Sequence, residues 1–134
     1  MAHQYSVAVN NARLDQIEVA IGTAPLLRFY TGSMPANCAA AATGTLLGSQ
    51  ALPSDWMATA SGAQKAKSGT WSGSFSAQGN VGYFRIFDST GTTCHIQGTV
   101  TAPGGGGDMT LDNIAAANGQ AWVVNTFQIN AANT

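Results

Sequence analysis

Hydrophobic positions follow a helical period only near the start of the chain, and a period of two recurs through much of the rest. Leu14, Ile17 and Ile21 recur at helical spacing, with Arg13, Asp15, Gln16 and Glu18 falling largely on other faces. Asn10 or Asn11 is a residue type that caps a helix N-terminus, and Gly22 followed by Pro25 stops the helix. At around three turns such a helix is marginal alone, so its apolar stripe predicts docking on the body of the protein or on a neighbouring subunit.

After the helix the pattern predicts short strands and turns. LLRFYT (26–31) is a strand ended by Gly32 and Pro35, and 37–43 is an Ala-rich loop or a single short helical turn. TLLGSQAL (45–52) predicts a second strand with Gly48 as a bulge or a point of close approach. Ser54 resembles an N-cap for a short turn through Trp56 and Met57, closed by Gly62, whose large residues cap one end of the core. TWSGSFSAQ (70–78) alternates Trp71, Gly73, Phe75 and Ala77 against Thr70, Ser72, Ser74 and Ser76, the pattern of a half-buried strand. VGYFRIF (81–87), the turn Asp88 to Gly91 and TTCHIQGTVT (92–101) predict a hairpin. Beyond the glycine run 104–107, DMTLDNI (108–114) points Met109 and Leu111 inward, Asn118-Gly119 makes a turn, and AWVVNTFQI (121–129) is the last strand.

Seven or eight short strands, one early helix and turn signals between them predict an all-β fold, an antiparallel β-sandwich of jelly-roll type or a simpler Greek key. An arm and helix over residues 1–22 would precede one sandwich domain over 23–134. No internal repeat suggests a solenoid.

Composition narrows the function. Charged residues are 8% of the 134 and the net charge is −1, while Gly, Ala, Ser, Thr and Asn fill most other positions. Five scattered Lys and Arg cannot form a phosphate track, so a nucleic-acid partner is not expected. No apolar run is long enough to span a membrane, and the N-terminus lacks a basic start followed by an apolar stretch, so neither a membrane segment nor a secretory signal is expected. Without export, Cys38 and Cys94 are expected to stay reduced. An uncharged polar surface repels weakly and is suited to packing against other protein.

The chemistry-bearing residues make no catalytic constellation, and no cofactor or metal is expected. His3 lies in the arm and His95 on the hairpin, each without a second ligand at metal spacing, and Cys94 with His95 would point to opposite sheet faces. Asp88, Asp108 and Asp112 each have a turn or strand end to explain them. Arg28 and Arg85 fall inside apolar strands, which predicts an ion pair with Asp55 or Asp88, or a contact between subunits. Trp56, Trp71 and Trp122 with Tyr5, Tyr30 and Tyr83 suit core packing better than a sugar-binding platform.

Taken together, YSVAVNNARLDQIEVAIG, LLRFYTGSMPANC, LPSDWMA, SGTWSG, GYFRIFDSTGTTCHIQGTV and GGDMTLDNIAAANGQAWVVNTFQI resemble small structural proteins of tailed bacteriophages, over nearly the full chain. The resemblance implies a non-enzymatic virion protein, assembled in the host cytoplasm, that decorates or cements the capsid. Its implied partners are the major capsid protein and further copies of itself, as a dimer or trimer. The interface residues expected on this reading are Tyr5, Val7, Arg13, Leu14, Ile17, Glu18 and Ile21. A carbohydrate- or receptor-binding module of a tail fibre is the alternative, and a small hydrolase centred on His95 is a third.

Overall fold

A computed structural model describes residues 3–131 of the chain. It is mostly β with one N-terminal helix, α1 (Val7–Ile21), followed by β1 (Leu26–Thr31), β2 (Leu46–Ala51), β3 (Gln64–Ala66), β4 (Ser72–Ser74), β5 (Gly79–Phe87), β6 (Cys94–Thr101), β7 (Met109–Leu111), β8 (Ala115–Ala116) and β9 (Ala121–Asn130).

The helix begins earlier than its periodic stripe suggested. Ser6 is the N-cap, its hydroxyl accepting from the Val9 amide at 3.2 Å, and Gly22 is the C-cap. Asn10 and Asn11 therefore lie inside the helix, where both work through side chains: Asn10 accepts from Arg13 at 2.6 Å and Asn11 accepts from the Ala63 amide at 2.8 Å.

The strands form one curled mixed sheet in the order β2-β1-β5-β6-β7-β9-β3, with β4 also on β9 and β8 on β5. β3 and β4 run along the same side of β9, and the Ser76 amide donates to the Leu47 carbonyl at 2.8 Å. The sheet thus bends far enough for the segment after β4 to meet β2. Phe29 of β1 and Trp122 of β9 pack edge to face inside, their centroids 4.8 Å apart, among a core that includes Leu27, Leu47, Phe84, Ile86 and Phe127.

All-antiparallel pairing does not hold, because β6 and β7 run parallel, Val100 opposite Met109. Parallel neighbours ordinarily need a connection of about a dozen residues or more, but here residues 102–108 suffice. The glycine run makes this possible: the Gly107 amide donates to Thr101 Oγ1 at 3.0 Å, and a Cβ on Gly107 would sit 2.9 Å from the Thr101 backbone nitrogen. The loop folds back onto the strand it has just left, a packing no larger residue permits.

Other local expectations were met or shortened. The hairpin of β5 and β6 forms as predicted, with Asp88 Oδ1 accepting from the Thr90 hydroxyl and the Thr92 amide, each at 2.9 Å. Alternation over 70–78 holds, with Trp71 and Phe75 buried and the serines exposed, although only Ser72–Ser74 pair as a strand. A bulge occurs beside Gly48, where the β1/β2 register skips Leu47. The turn expected after Ser54 is not helical; Met57 instead bridges Lys67, and Trp56 and Met57 are buried in the core.

Candidate interaction surface

Helix α1 lies against β3 and the segment before it. Asp15 Oδ1 accepts from the Ala60 amide at 2.9 Å, and the Trp56 indole donates to the Gly22 carbonyl at 3.0 Å. Lys65 at the centre of β3 is fully buried, and its ammonium donates to Asp15 Oδ1 at 2.7 Å, Glu18 Oε1 at 3.0 Å and the Ala58 carbonyl at 2.8 Å. Burial opposes the charge, but the bonds to Asp15 and Glu18 outweigh it and hold Lys65 above the ordinary lysine value. The same ammonium, then the Ala60 amide, hold the Asp15 carboxyl below the ordinary aspartate value.

This arrangement turns two of the helix's charged residues, with Leu14 and Ile21, toward the body. What remains outside is largely apolar, with Arg13 and Gln16 beside it. Ala8, Val9, Ala12, Val19 and Ala20 are all exposed along the opposite side, interrupted by Gln16 and bordered by exposed Arg13, whose guanidinium turns toward Tyr5 and Asn10, and Val19 is 70% exposed. A surface helix ordinarily reverses this pattern, so an outward apolar stripe marks a surface suited to another protein.

Of the interface residues expected from sequence, Leu14 and Ile21 are buried, Ile17 packs against the core, and Glu18 is bound to Lys65. These pack on their own body, one of the two destinations the stripe allowed. Tyr5 is half-buried, stacked under the Arg13 guanidinium at 4.7 Å and hydrogen-bonded to His3 at 3.2 Å. Val7 is 48% exposed and belongs to the first helical turn rather than to an extended arm. Val9 and Val19 escaped the sequence reading because they fall off the 14-17-21 stripe.

A second feature lies where β7 is too short to fill the wall. β6 reaches β7 only at Val100 and Thr101, and β7 covers β9 only as far as Phe127. Beyond these points a cleft of about 460 Å³ separates β6 from the end of β9, lined by Ile17, Phe84, Ile96, Phe127 and Ile129 with polar Gln97, Asp108, Gln128 and Asn130. An extended peptide laid there would continue the line of β7 between two strand edges.

The other candidates resolve as structural parts. Asp108 binds Thr99, and Asp112 accepts from the Val123 amide at 2.9 Å. His95 is exposed on β6, and among the described residues no three His, Cys, Asp or Glu side chains are grouped to hold a metal. The expected ion pairs of Arg28 and Arg85 with Asp55 or Asp88 do not form among the described residues. Arg28 donates to Ser49 Oγ at 3.2 Å and lies 4.6 Å over Phe87, while buried Arg85 donates to the Asn37 carbonyl at 3.2 Å. A cation over an aromatic ring and a backbone carbonyl replace the carboxylate. Trp56, Trp71 and Trp122 are each 0% exposed, so none offers a platform to a sugar. Among the described residues, no helix is long and apolar enough to cross a membrane.

No family model matches the chain, and no curated protein or solved structure matches it.

Proposed function

We propose that this chain is a non-enzymatic virion structural protein that decorates or cements a phage capsid by binding major capsid protein subunits, itself assembled as a homo-oligomer. The observation that carries the reading is the outward apolar stripe of α1. An assembly protein gains affinity from many modest contacts repeated over a lattice, and a largely apolar helix face supplies one such contact per copy. The buried state of Lys65 and Arg85 leaves the surface with even fewer cations than the composition implies, which favours protein over nucleic acid as partner. A jelly-roll-like, two-layered reading of the curled sheet belongs to the same proposal, supported by the contact of Phe29 with Trp122 across the core.

The test is co-sedimentation with head shells stripped of this protein. Saturable binding at a fixed ratio to the capsid subunit is expected, and greater heat resistance of the loaded shells distinguishes cement from decoration. Val19→Glu, which leaves the core untouched, should weaken binding while the variant melts like the parent. Absence of binding by the parent would overturn the reading and move the weight to a tail or host-surface role.

A further inference from the structure

Residues 32–45, between β1 and β2, are fastened to β5 and β6. Gln97 Nε2 donates to the Pro35 carbonyl at 2.8 Å, Arg85 Nη2 donates to the Asn37 carbonyl at 3.2 Å, and the Tyr83 hydroxyl binds both backbone groups of Thr43. Cys38 directly follows Asn37, in a turn closed by the Ala40 amide donating to Asn37 Oδ1 at 3.0 Å. Cys94 opens β6, opposite Phe87 and three positions before Gln97. This fastening brings the two side chains into mutual contact, both half-buried and both free thiols.

We propose that Cys38 and Cys94 form a site of reversible oxidation, closing into an intramolecular disulfide that locks the 32–45 segment onto β6. The inference is independent of the capsid reading. The oxidant is a low-molecular-weight disulfide, such as oxidised glutathione. One cysteine of the pair gives up its proton and attacks one sulfur of the oxidant, forming a mixed disulfide and expelling one glutathione thiolate, which takes up a proton. The other cysteine then loses its proton and attacks the sulfur of the first, breaking the mixed disulfide and expelling the second glutathione. Two electrons leave the cysteine pair, and two glutathione thiols are released for each protein disulfide formed. Burial, then the neighbouring Cys38 thiol, push Cys94 up to about 12 despite the nearby Arg85 guanidinium. Cys94 is therefore protonated in neutral solution and gives up its proton only as it reacts.

The test is incubation of the full chain with oxidised glutathione without denaturant, followed by alkylation and non-reducing peptide mapping. The expected product is a monomer lighter by two hydrogens, with one cross-linked peptide pair holding Cys38 and Cys94. Its Tm should rise by about 10 °C and return on reduction with dithiothreitol. Cys94→Ser should stop at a glutathione adduct on Cys38, and Cys38→Ser at an adduct on Cys94. Glutathione retained on both sulfurs, a disulfide between chains, or two unmodified thiols under conditions that fully oxidise the unfolded chain would overturn the proposal.

Discussion

Thr99 and Asp108 bind each other reciprocally: Asp108 Oδ2 accepts from the Thr99 amide at 2.9 Å and its hydroxyl at 3.2 Å, while Thr99 Oγ1 accepts from the Asp108 amide at 3.1 Å. The pair closes the glycine loop at its base and so sets the parallel register of β6 with β7. Asp108→Ala is expected to cost about 1–2 kcal/mol in urea denaturation, with faster amide exchange at Thr99 and unchanged exchange at Tyr83. Unaltered protection at Thr99 would show that the glycine loop holds its register without the carboxylate.

Lys65 ties α1 to β3. Lys65→Met removes the cation but leaves Asp15 and Glu18, whose side chains are 38% and 24% exposed and can recover water. The expected cost is about 1–3 kcal/mol by chemical denaturation. The converse change, Asp15→Asn with Glu18→Gln, strands a buried ammonium and should destabilise the fold more than Lys65→Met.

The same cluster predicts a pH dependence. Asp15 has its folded value lowered below 3.8, so its contribution is present above that ordinary value and is lost as pH falls through the folded one. Lys65 has its folded value raised above 10.5, so its contribution is present below 10.5 and is lost as pH rises through the folded one. Denaturation midpoints followed across acid pH should fall less steeply for Asp15→Asn than for the parent, and equal slopes would remove Asp15 from the account.

Tyr83 is fully buried, stacks on Tyr30 with centroids 5.1 Å apart, and its hydroxyl accepts from the Thr43 amide at 2.9 Å while donating to the Thr43 carbonyl at 2.6 Å. Tyr83→Phe keeps the stack and deletes both hydrogen bonds. It should cost about 1–2 kcal/mol and hasten proteolytic cutting within 32–45. Cutting at the parent rate would mean that Arg85 and Gln97 hold the segment without help.

With Trp56, Trp71 and Trp122 all enclosed, the native fluorescence should be blue-shifted, poorly quenched by iodide and unmoved by added polysaccharide. A spectral shift on adding a host polysaccharide would instead revive the carbohydrate-binding alternative.

Much of the fold is legible in the chain because its causes are local. Side chains alternate across a strand, and this period marks Trp71 and Phe75 as inward. The turn from Asp88 to Gly91 carries its own hydrogen-bonding groups, so the hairpin is written where it forms. Gly22 ends the helix for the same kind of reason, whereas Ser6 was passed over because an earlier cap lay outside the 14-17-21 stripe.

Tertiary structure decided what depends on partners distant in sequence. A three-residue strand has no period to read, so β3 and the burial of Lys65 emerge only when Asp15 and Glu18 arrive to compensate the charge. That pairing in turn selects which side of α1 faces inward and leaves Val9 and Val19 outside. The glycine run announced a flexible connection, but its parallel return depends on Asp108 reaching Thr99 and on Gly107 packing against Thr101. The contact of Cys38 with Cys94 likewise follows from Arg85 and Gln97 holding the segment around Cys38. Local sequence therefore determined the elements and their faces, while long-range compensation of charge and backbone polarity determined how they meet.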